Sequence, residues 1–134
     1  MSRLGDFSFE GLKDFKKGLD ILGELAPKFF EDCINELAAR LLAKTIARTP
    51  VDTGLLRRSW TIGQIVQIPT GIEVEVINPV EYARYVEYGH RTRNHKGWVE
   101  GRFMLTISIE ELEREMPAIL ESKLEQFLKR HLRW

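Results

Sequence analysis

A short run of strict alternation constrains the fold more than any other feature of this chain. Ile72, Val74 and Val76 are apolar, whereas Glu73 and Glu75 between them are charged. Because successive side chains of a strand point to opposite faces, the pattern predicts a strand with one buried face and one solvated face. The rest of the sequence mostly repeats at helical spacing, so this strand must belong to a small sheet in a largely helical protein.

The alternating strand is the second half of a predicted β-hairpin over residues 59–78. The first half alternates imperfectly from Trp60, and Pro69-Thr70-Gly71 is a turn signal. Two strands alone are marginal in water, so helices, further strands or another subunit must cover the apolar face. The 134 residues suffice for one domain with one core. We therefore predict a single α+β domain, with helices beside a small antiparallel sheet built on this hairpin.

Helices are predicted on both sides of the hairpin. Within residues 1–25 we expect an N-terminal helix that packs loosely, because apolar residues recur there at helical spacing: Leu12, Phe15, Leu19 and Leu22. A longer helix is predicted from about Pro27 to Arg48. Residues 103–109 suit either a strand or the start of a C-terminal helix, and the continuing helical pattern favours the helix. Pro117 should kink or restart it.

The centre of the chain, residues 80–104, predicts a short helix that ends at a basic segment. Asn78 suits the N-cap, Pro79 the first helical position, and Gly89 a left-handed C-terminal residue. Three residues at i, i+3 and i+4 predict one face of this helix: Tyr82, Tyr85 and Val86.

The basic segment, residues 90–102, is predicted to be a mobile loop that contacts a partner. It carries four basic residues and the single acid Glu100. A plain solvated loop, a nucleic-acid patch and an arm that binds an acidic protein surface all fit this composition, and we favour the arm. The residues proposed to form this interface are His90, Arg91, Arg93, His95, Lys96, Trp98 and Arg102. The chain should return to the core through residues 98–104.

A second informative stretch, residues 49–60, follows the longer helix. Asp52 can cap a short turn and Gly54 permits a tight backbone. We expect Glu87 to form an ion pair with an arginine, either one of the Arg57-Arg58 pair or Arg84. The residues assigned packing roles in the two stretches are Pro50, Asp52, Thr53, Gly54, Arg57, Arg58, Tyr82, Tyr85, Glu87 and Gly89.

The sequence offers little catalytic chemistry. Asp52-Thr53-Gly54 is the catalytic triplet of aspartic proteases, but there it follows an apolar strand, whereas here it follows a charged helix and a proline. His90 and His95 have no cysteine or carboxylate at metal-ligand spacing. No phosphate-binding glycine pattern or nucleophile elbow occurs. We therefore assign no catalytic, cofactor-binding or metal-binding residue and do not expect an enzyme.

Charge and composition limit the partners. With 20 basic and 20 acidic residues the net charge is zero, which argues against a dedicated nucleic-acid binder and permits close neighbours. Cys33 is the single cysteine, which excludes an internal disulfide and predicts a small buried residue in a reducing compartment. No apolar run approaches the roughly 18 residues of a membrane span, and the start lacks a signal peptide's apolar core. We expect a cytoplasmic protein that binds no membrane.

Taken together, the two stretches resemble the small head–tail joining, or tail-completion, proteins of long-tailed phages and prophages, also called tail components. The resemblance covers roughly residues 30–120. Its first motif comprises Pro50, Val51, Asp52, Thr53, Gly54, Leu56, Arg57 and Ser59. Its second comprises Tyr82, Ala83, Val86, Glu87, Tyr88 and Gly89. A hairpin lies between them, and a glycine- and aromatic-containing return follows.

The resemblance implies a structural role. Proteins of this family are α+β subunits of rings, commonly six-fold, at the head–tail joint or tail end. The implied partners are further copies of the chain and neighbouring neck or tail proteins, first in the cytoplasm of the bacterial host and then in the virion. Two alternatives stay open. One is an aspartic-type protease acting through Asp52-Thr53-Gly54, and the other is a nucleic-acid-binding module using residues 90–102.

Overall fold

In the part of the chain that the structure describes, four helices combine with two small antiparallel sheets. The computed structural model describes residues 3–8, for which only the backbone is considered, 23–51, 54–68 and 71–132. The strands are β1 (Arg3–Ser8), β2 (Thr61–Ile68), β3 (Gly71–Ile77), β4 (Gly89–Arg91) and β5 (Trp98–Glu100). The helices are α1 (Ala26–Arg48), preceded by a 3-10 turn at Gly23–Leu25, α2 (Leu55–Arg58), α3 (Ala83–Tyr88) and α4 (Met104–Leu132). The predicted α+β class is confirmed.

The main sheet is built on the predicted hairpin. Strands β2 and β3 pair antiparallel from Thr61↔Ile77 to Ile68↔Gly71, with an irregularity between Ile62 and Ile65. This bulge accounts for the imperfect alternation of β2, because an extra residue shifts the side chains from one face to the other. The turn residues Pro69 and Thr70 lie outside the described part of the chain.

A third strand, which the sequence pattern did not predict, completes this sheet. Residues Arg3–Ser8, within the segment predicted as an N-terminal helix, form β1 and pair antiparallel with β3. The sheet order is therefore β1-β3-β2, with β3 in the centre. Backbone hydrogen bonding to the second edge of β3 overrides the weak local preference of these residues. The predicted helical repeat from Leu12 to Leu22 lies outside the described residues.

The core lies between one face of the sheet and two long helices. Ile72, Val74 and Val76 of β3 are buried, as their alternation predicted. Against them pack buried residues of α1 and α4: Phe30, Cys33, Ile34, Leu37, Leu41, Met104, Leu105 and Leu112. Phe29 of α1 stacks on Phe127 of α4 with ring centroids 4.3 Å apart. The predicted burial of Cys33 is confirmed, and it raises the pKa of the thiol to about 11.

A charged cluster joins α1 to α4 beside this core. Lys44 forms an ion pair with Glu111 and another with Glu115, the latter at 2.9 Å, and Arg48 also pairs with Glu111. These bonds raise the pKa of Lys44 and lower that of Glu111. The cluster therefore adds polar contacts between the two long helices beside their shared apolar core.

Helix α4 starts at Met104, as predicted by the helical alternative for residues 103–109. It then continues without interruption through Pro117 to Leu132, so the alternative of a restart at the proline is wrong. The ring of Pro117 lies on the exposed side, whereas Leu112 and Leu120 on either side of it are buried. Their packing against α1 keeps the helix continuous across the lost backbone hydrogen bond.

Candidate interaction surface

The short helix α3 begins later than predicted. Asn78 is buried, but its side chain is not the N-cap of a helix that starts at Pro79. Its Oδ1 accepts a hydrogen bond from the Val80 N–H at 3.1 Å, and its Nδ2 donates to the Leu56 carbonyl at 3.0 Å. A turn closed by the Ala83 N–H and the Val80 carbonyl follows, and the helix begins at Ala83. Asn78 thus links Leu56 of the first motif to the turn that precedes the second motif.

The inward face of α3 also differs from the prediction. Ala83 and Glu87 are fully buried, whereas Tyr82 and Tyr85 are 42% and 58% exposed. The helix is therefore rotated by about one residue from the predicted orientation, and Val86 lies at the margin. The small side chain of Ala83 lets the helix backbone approach the core closely, and Glu87 has a specific polar partner there. These two contacts determine which face of the helix is buried, although the tyrosines are more apolar than Glu87.

That partner is the N-terminus of α4, not an arginine. One carboxylate oxygen of Glu87 accepts a hydrogen bond from the Leu105 N–H at 2.9 Å. The other accepts bonds from the Thr106 N–H at 3.0 Å and the Thr106 hydroxyl at 2.8 Å. The first N–H groups of a helix have no partner within the helix, and its N-terminus attracts negative charge. Glu87 is thus a cap delivered from another helix, and the predicted ion pair with Arg57, Arg58 or Arg84 is absent among the described contacts.

The arginine pair has a different role. Arg57 Nε donates to the Ile46 carbonyl in the last turn of α1, at 3.1 Å, where a cation also favours the helix dipole. Arg58 is exposed. Gly54 precedes α2 with φ of +82°, which confirms the tight backbone expected there. The Asp52 and Thr53 predictions lie outside the described residues, but the segment before them is helix α1, which ends at Arg48, and not a strand.

The basic segment is a small hairpin and not an irregular loop. Strands β4 and β5 pair from Gly89↔Glu100 to Arg91↔Trp98. The turn between them is closed by the Thr92 N–H bonding to the Gly97 carbonyl and the Gly97 N–H bonding to Thr92 Oγ1, both at 3.0 Å. Asn94 Oδ1 accepts the Lys96 N–H at 3.0 Å and the Thr92 hydroxyl at 2.7 Å. Side-chain hydrogen bonds within the turn therefore shape its tip, and no binding partner is needed for this shape.

Two glycines fasten this hairpin to α3. Gly89 ends α3, as predicted, but its φ of +90° and ψ of 172° lie outside the left-handed helical conformation that was expected. A Cβ there would lie 2.5 Å from the Val99 carbonyl. A Cβ on Gly101 would collide with the Glu87 carbonyl. The Arg102 N–H then bonds to the Val86 carbonyl at 2.7 Å, and the Phe103 N–H to that of Glu87 at 2.9 Å. The backbone thus passes directly from α3 through the hairpin into α4.

The predicted return to the core occurs at a single residue. Met104 is fully buried, but Trp98, Val99 and Phe103 are exposed, Trp98 to 56%. Phe103 has φ of +47°, which is uncommon for an aromatic residue and turns the chain into α4. Exposed aromatic rings therefore gather on α3 and the hairpin: Tyr85, Tyr88, Trp98 and Phe103. Tyr88 meets Phe103 edge-on at 6.4 Å, and Tyr85 meets His90 at 6.0 Å.

The hairpin brings the predicted interface residues together. His90 and Arg91 lie on β4, Trp98 lies on β5, and Arg93, His95 and Lys96 lie in the turn, with Arg102 just beyond β5. Across the described ranges, the four basic side chains at 91, 93, 96 and 102 are exposed and make no ion pair. His90 Nδ1 is buried and has no hydrogen-bond partner among the described residues. The described residues contain no histidine, cysteine and carboxylate cluster that could hold a metal ion.

We define this hairpin with its exposed aromatic and basic side chains, residues 89–103, as the hairpin surface. Aromatic residues and arginine are enriched in the energetically dominant parts of protein–protein interfaces. Sequence reasoning missed Val99 and Phe103 as surface residues because their apolar side chains suggested a core position. No helix in the described part of the chain has the length and apolar character required to span a membrane.

Comparison with known proteins identifies the family. Residues 13–89 match the family model HK97-gp10_like, described as "Bacteriophage HK97-gp10, putative tail-component". No curated protein and no solved structure matches the chain. The matched region holds α1, the main hairpin and α3 up to Gly89, and therefore both motifs. Since the match spans more than half of the 134 residues, the chain belongs to the HK97-gp10-like family and is a phage structural protein of the tail-component type.

Proposed function

We propose that this protein forms a ring at the head–tail joint or tail end of a tailed phage or prophage. Copies of the chain contact one another head to tail, and the ring contacts neighbouring neck or tail proteins. Assembly takes place in the cytoplasm of the bacterial host, and the protein then stays in the virion. The role is structural and not catalytic.

The observation that carries this proposal is the hairpin surface. An exposed indole, an exposed phenyl ring and four basic side chains that form no ion pair with any described residue lie on a backbone that is already folded by its own turn. Large exposed apolar side chains that lie together mark interaction sites on soluble proteins. A preorganised surface loses little conformational entropy on binding, so it suits a contact that is repeated in every subunit of an assembly.

Charge supports contact between copies. The net charge of zero means that identical subunits do not repel one another strongly. When a surface binds a different surface on the next copy, the contacts repeat until the rotation closes a ring or a helical filament grows. Both properties fit a protein that must assemble into a small closed ring.

The proposal can be tested in the phage. Phages produced without this protein should accumulate filled heads and separate tails, or tails of abnormal length, when particles are examined by negative-stain electron microscopy. Supplying the intact chain should restore joined particles, and an antibody label should lie at the joint or the tail end. Normal infectious particles without the protein, or a label on the capsid shell, would overturn the proposal.

The ring itself requires a separate measurement. Light scattering across a range of protein concentrations gives the mass in solution, and class averages of purified necks or tails give the symmetry. A closed particle of several subunits supports the ring. A protein that is present as a single copy per particle would contradict it.

A further inference from the structure

We propose that the hairpin surface of one copy docks into an apolar groove on α4 of the next copy. The inference rests on the proposed ring and assigns the two surfaces that meet within it. The groove lies near the C-terminal end of α4 and has a volume of about 410 Å³. Five residues line it: Glu121, Leu124, Glu125, Leu128 and Lys129.

The groove has an apolar floor with an acidic rim. Leu124 packs partly against the core, and Leu128 is half-buried beside it. Glu125 forms an ion pair with Lys129 at 3.0 Å, whereas Glu121 is exposed and has no ion pair among the described residues. A suitable occupant is therefore a large apolar side chain with a cation next to it.

The hairpin surface offers this combination. Trp98 is the largest exposed apolar side chain of β5, and Arg91 is its direct cross-strand partner on β4. Trp98 would lie on the two leucines, and Arg91 would reach Glu121. Aromatic burial of this kind supplies much of the binding energy in protein interfaces, and the charge pair fixes its orientation.

The charge distribution of the chain favours a second copy as the occupant. Residues 90–102 hold four basic residues and one acidic residue, which leaves sixteen basic and nineteen acidic residues in the rest of the chain. The hairpin surface is therefore basic on an otherwise acidic molecule. A partner with the composition of this chain outside its own hairpin has the complementary charge.

A hairpin cannot reach the groove of its own chain. Glu121 lies 17 residues beyond the start of α4 at Met104, and a rise of 1.5 Å per residue separates the two by about 25 Å. Strands β4 and β5 have three residues each, so Arg91 and Trp98 at their far ends lie only about 10 Å from the base of the hairpin. The contact must therefore join two molecules through two different surfaces, which is the arrangement that builds rings.

Two double variants test the contact. The hairpin variant, Arg91→Glu with Trp98→Ala, keeps an intact groove, and the groove variant, Glu121→Lys with Leu128→Ala, keeps an intact hairpin. As a matched control, Glu113→Lys makes the same charge change on an exposed position of α4 outside the groove. Circular dichroism melting shows that each variant is folded.

Sedimentation of each protein and of mixtures gives the result. The natural protein and the control should associate to the same extent, and each double variant alone should associate at least about tenfold more weakly. An equal mixture of the two variants should form dimers and nothing larger, because only one intact hairpin and one intact groove can meet. A mixture that stays monomeric, or double variants that assemble normally, would overturn the contact.

Failure of this contact and failure of the ring are distinguishable. If both double variants still form closed particles, the ring stands and another surface makes it. If the natural protein remains monomeric at every concentration, the self-contact is overturned, while particle joining in the phage still decides the proposed role. If the mixture gives dimers, both surfaces are assigned at once.

Discussion

The carboxylate of Glu87 accepts the backbone N–H of Leu105 across 2.9 Å, although 18 residues separate them in the chain. Between these two residues lies the entire β4–β5 hairpin. The bond therefore closes the hairpin at its base and caps the longest helix of the molecule at the same time. The exposed rings and basic side chains project from a base that is held on both sides.

Removing this cap should destabilise the protein. Glu87→Ala leaves two backbone N–H groups and the Thr106 hydroxyl without their acceptors in a buried site, and we expect a loss of about 2–4 kcal/mol. Glu87→Gln keeps one acceptor but turns an amide towards a donor, so it should lose about 1–3 kcal/mol. Urea unfolding measures both losses, with the exposed Glu81→Gln as control. An unchanged midpoint for Glu87→Ala would refute the capping role.

The two glycines at the base of the hairpin should not tolerate a side chain. At Gly89 a Cβ would approach the Val99 carbonyl to 2.5 Å and would also require a positive φ. At Gly101 it would collide with the Glu87 carbonyl. We expect Gly89→Ala and Gly101→Ala each to lose at least about 2 kcal/mol in thermal or urea unfolding.

The matched control for these two is Gly97→Ala at the hairpin tip. Its Cβ would lie 3.2 Å from the Thr92 methyl group, a side-chain atom that can give way. If Gly97→Ala loses as much free energy of unfolding as Gly89→Ala and Gly101→Ala, the base of the hairpin is not more sensitive to a side chain than its tip.

The charged cluster between α1 and α4 should give the stability a defined pH dependence. Hydrogen bonds from Lys44 and then Arg48 lower the pKa of Glu111 below its ordinary value of 4.5. The contribution of Glu111 to the stability of the folded protein is therefore complete above about pH 4.5 and is lost as the pH falls through the lower pKa of the folded state. In urea unfolding, the deficit of Glu111→Gln relative to the natural protein should be constant near neutrality and shrink below pH 4.5.

Glu113→Gln is the matched control for this pH series, since Glu113 is exposed on the same helix and forms no ion pair among the described residues. Its effect should be small at every pH. At alkaline pH, Glu111 and Glu115 raise the pKa of Lys44 above 10.5. The contribution of Lys44 to stability is therefore complete below pH 10.5 and is lost only as the pH rises through the raised pKa of the folded state. A Glu111→Gln deficit that grows on acidification would contradict the assignment.

Cys33 should be chemically silent in the folded protein. It has no exposed surface, and burial raises the pKa of its thiol to about 11, so very little thiolate exists at pH 8. Modification by a thiol reagent such as Ellman's reagent should proceed only as fast as the protein unfolds. It should become immediate in concentrated urea. Rapid reaction of the native protein at pH 8 would contradict the packing of α1 against the sheet.

Local patterns in the sequence predicted those parts of the fold in which local chemistry decides the structure. The alternation from Ile72 to Val76 fixed the buried face of β3, and the helical repeat fixed most of α1 and α4. Gly89 ended α3 at the predicted residue, because no other residue type adopts a positive φ as readily. The Thr92, Asn94 and Gly97 spacing also carried a turn signal that could have predicted the hairpin tip.

The remaining features depend on residues far apart in the sequence. The local sequence suggests that Glu87 is an exposed acid on its own helix. Its burial is favourable only because the N-terminus of α4 lies next to it. The same contact turns Tyr82 and Tyr85 outwards. Strand β1 has no strong pattern of its own and forms against the edge of β3. The residues of the hairpin surface were predicted but its shape was not, because the base of the hairpin depends on the close approach of Gly101 to the Glu87 carbonyl of α3.

The length of α4 has a further consequence for geometry. Its 29 residues form a rod of about 43 Å, with the hairpin fixed at one end and the groove near the other. A subunit that binds one neighbour at each end of such a rod would set the distance between neighbours by the helix itself. A longer or shorter α4 would then change the distance between the two contacts and, with it, the circumference of the ring. The length of α4 would thus determine the spacing of the subunits in the assembly.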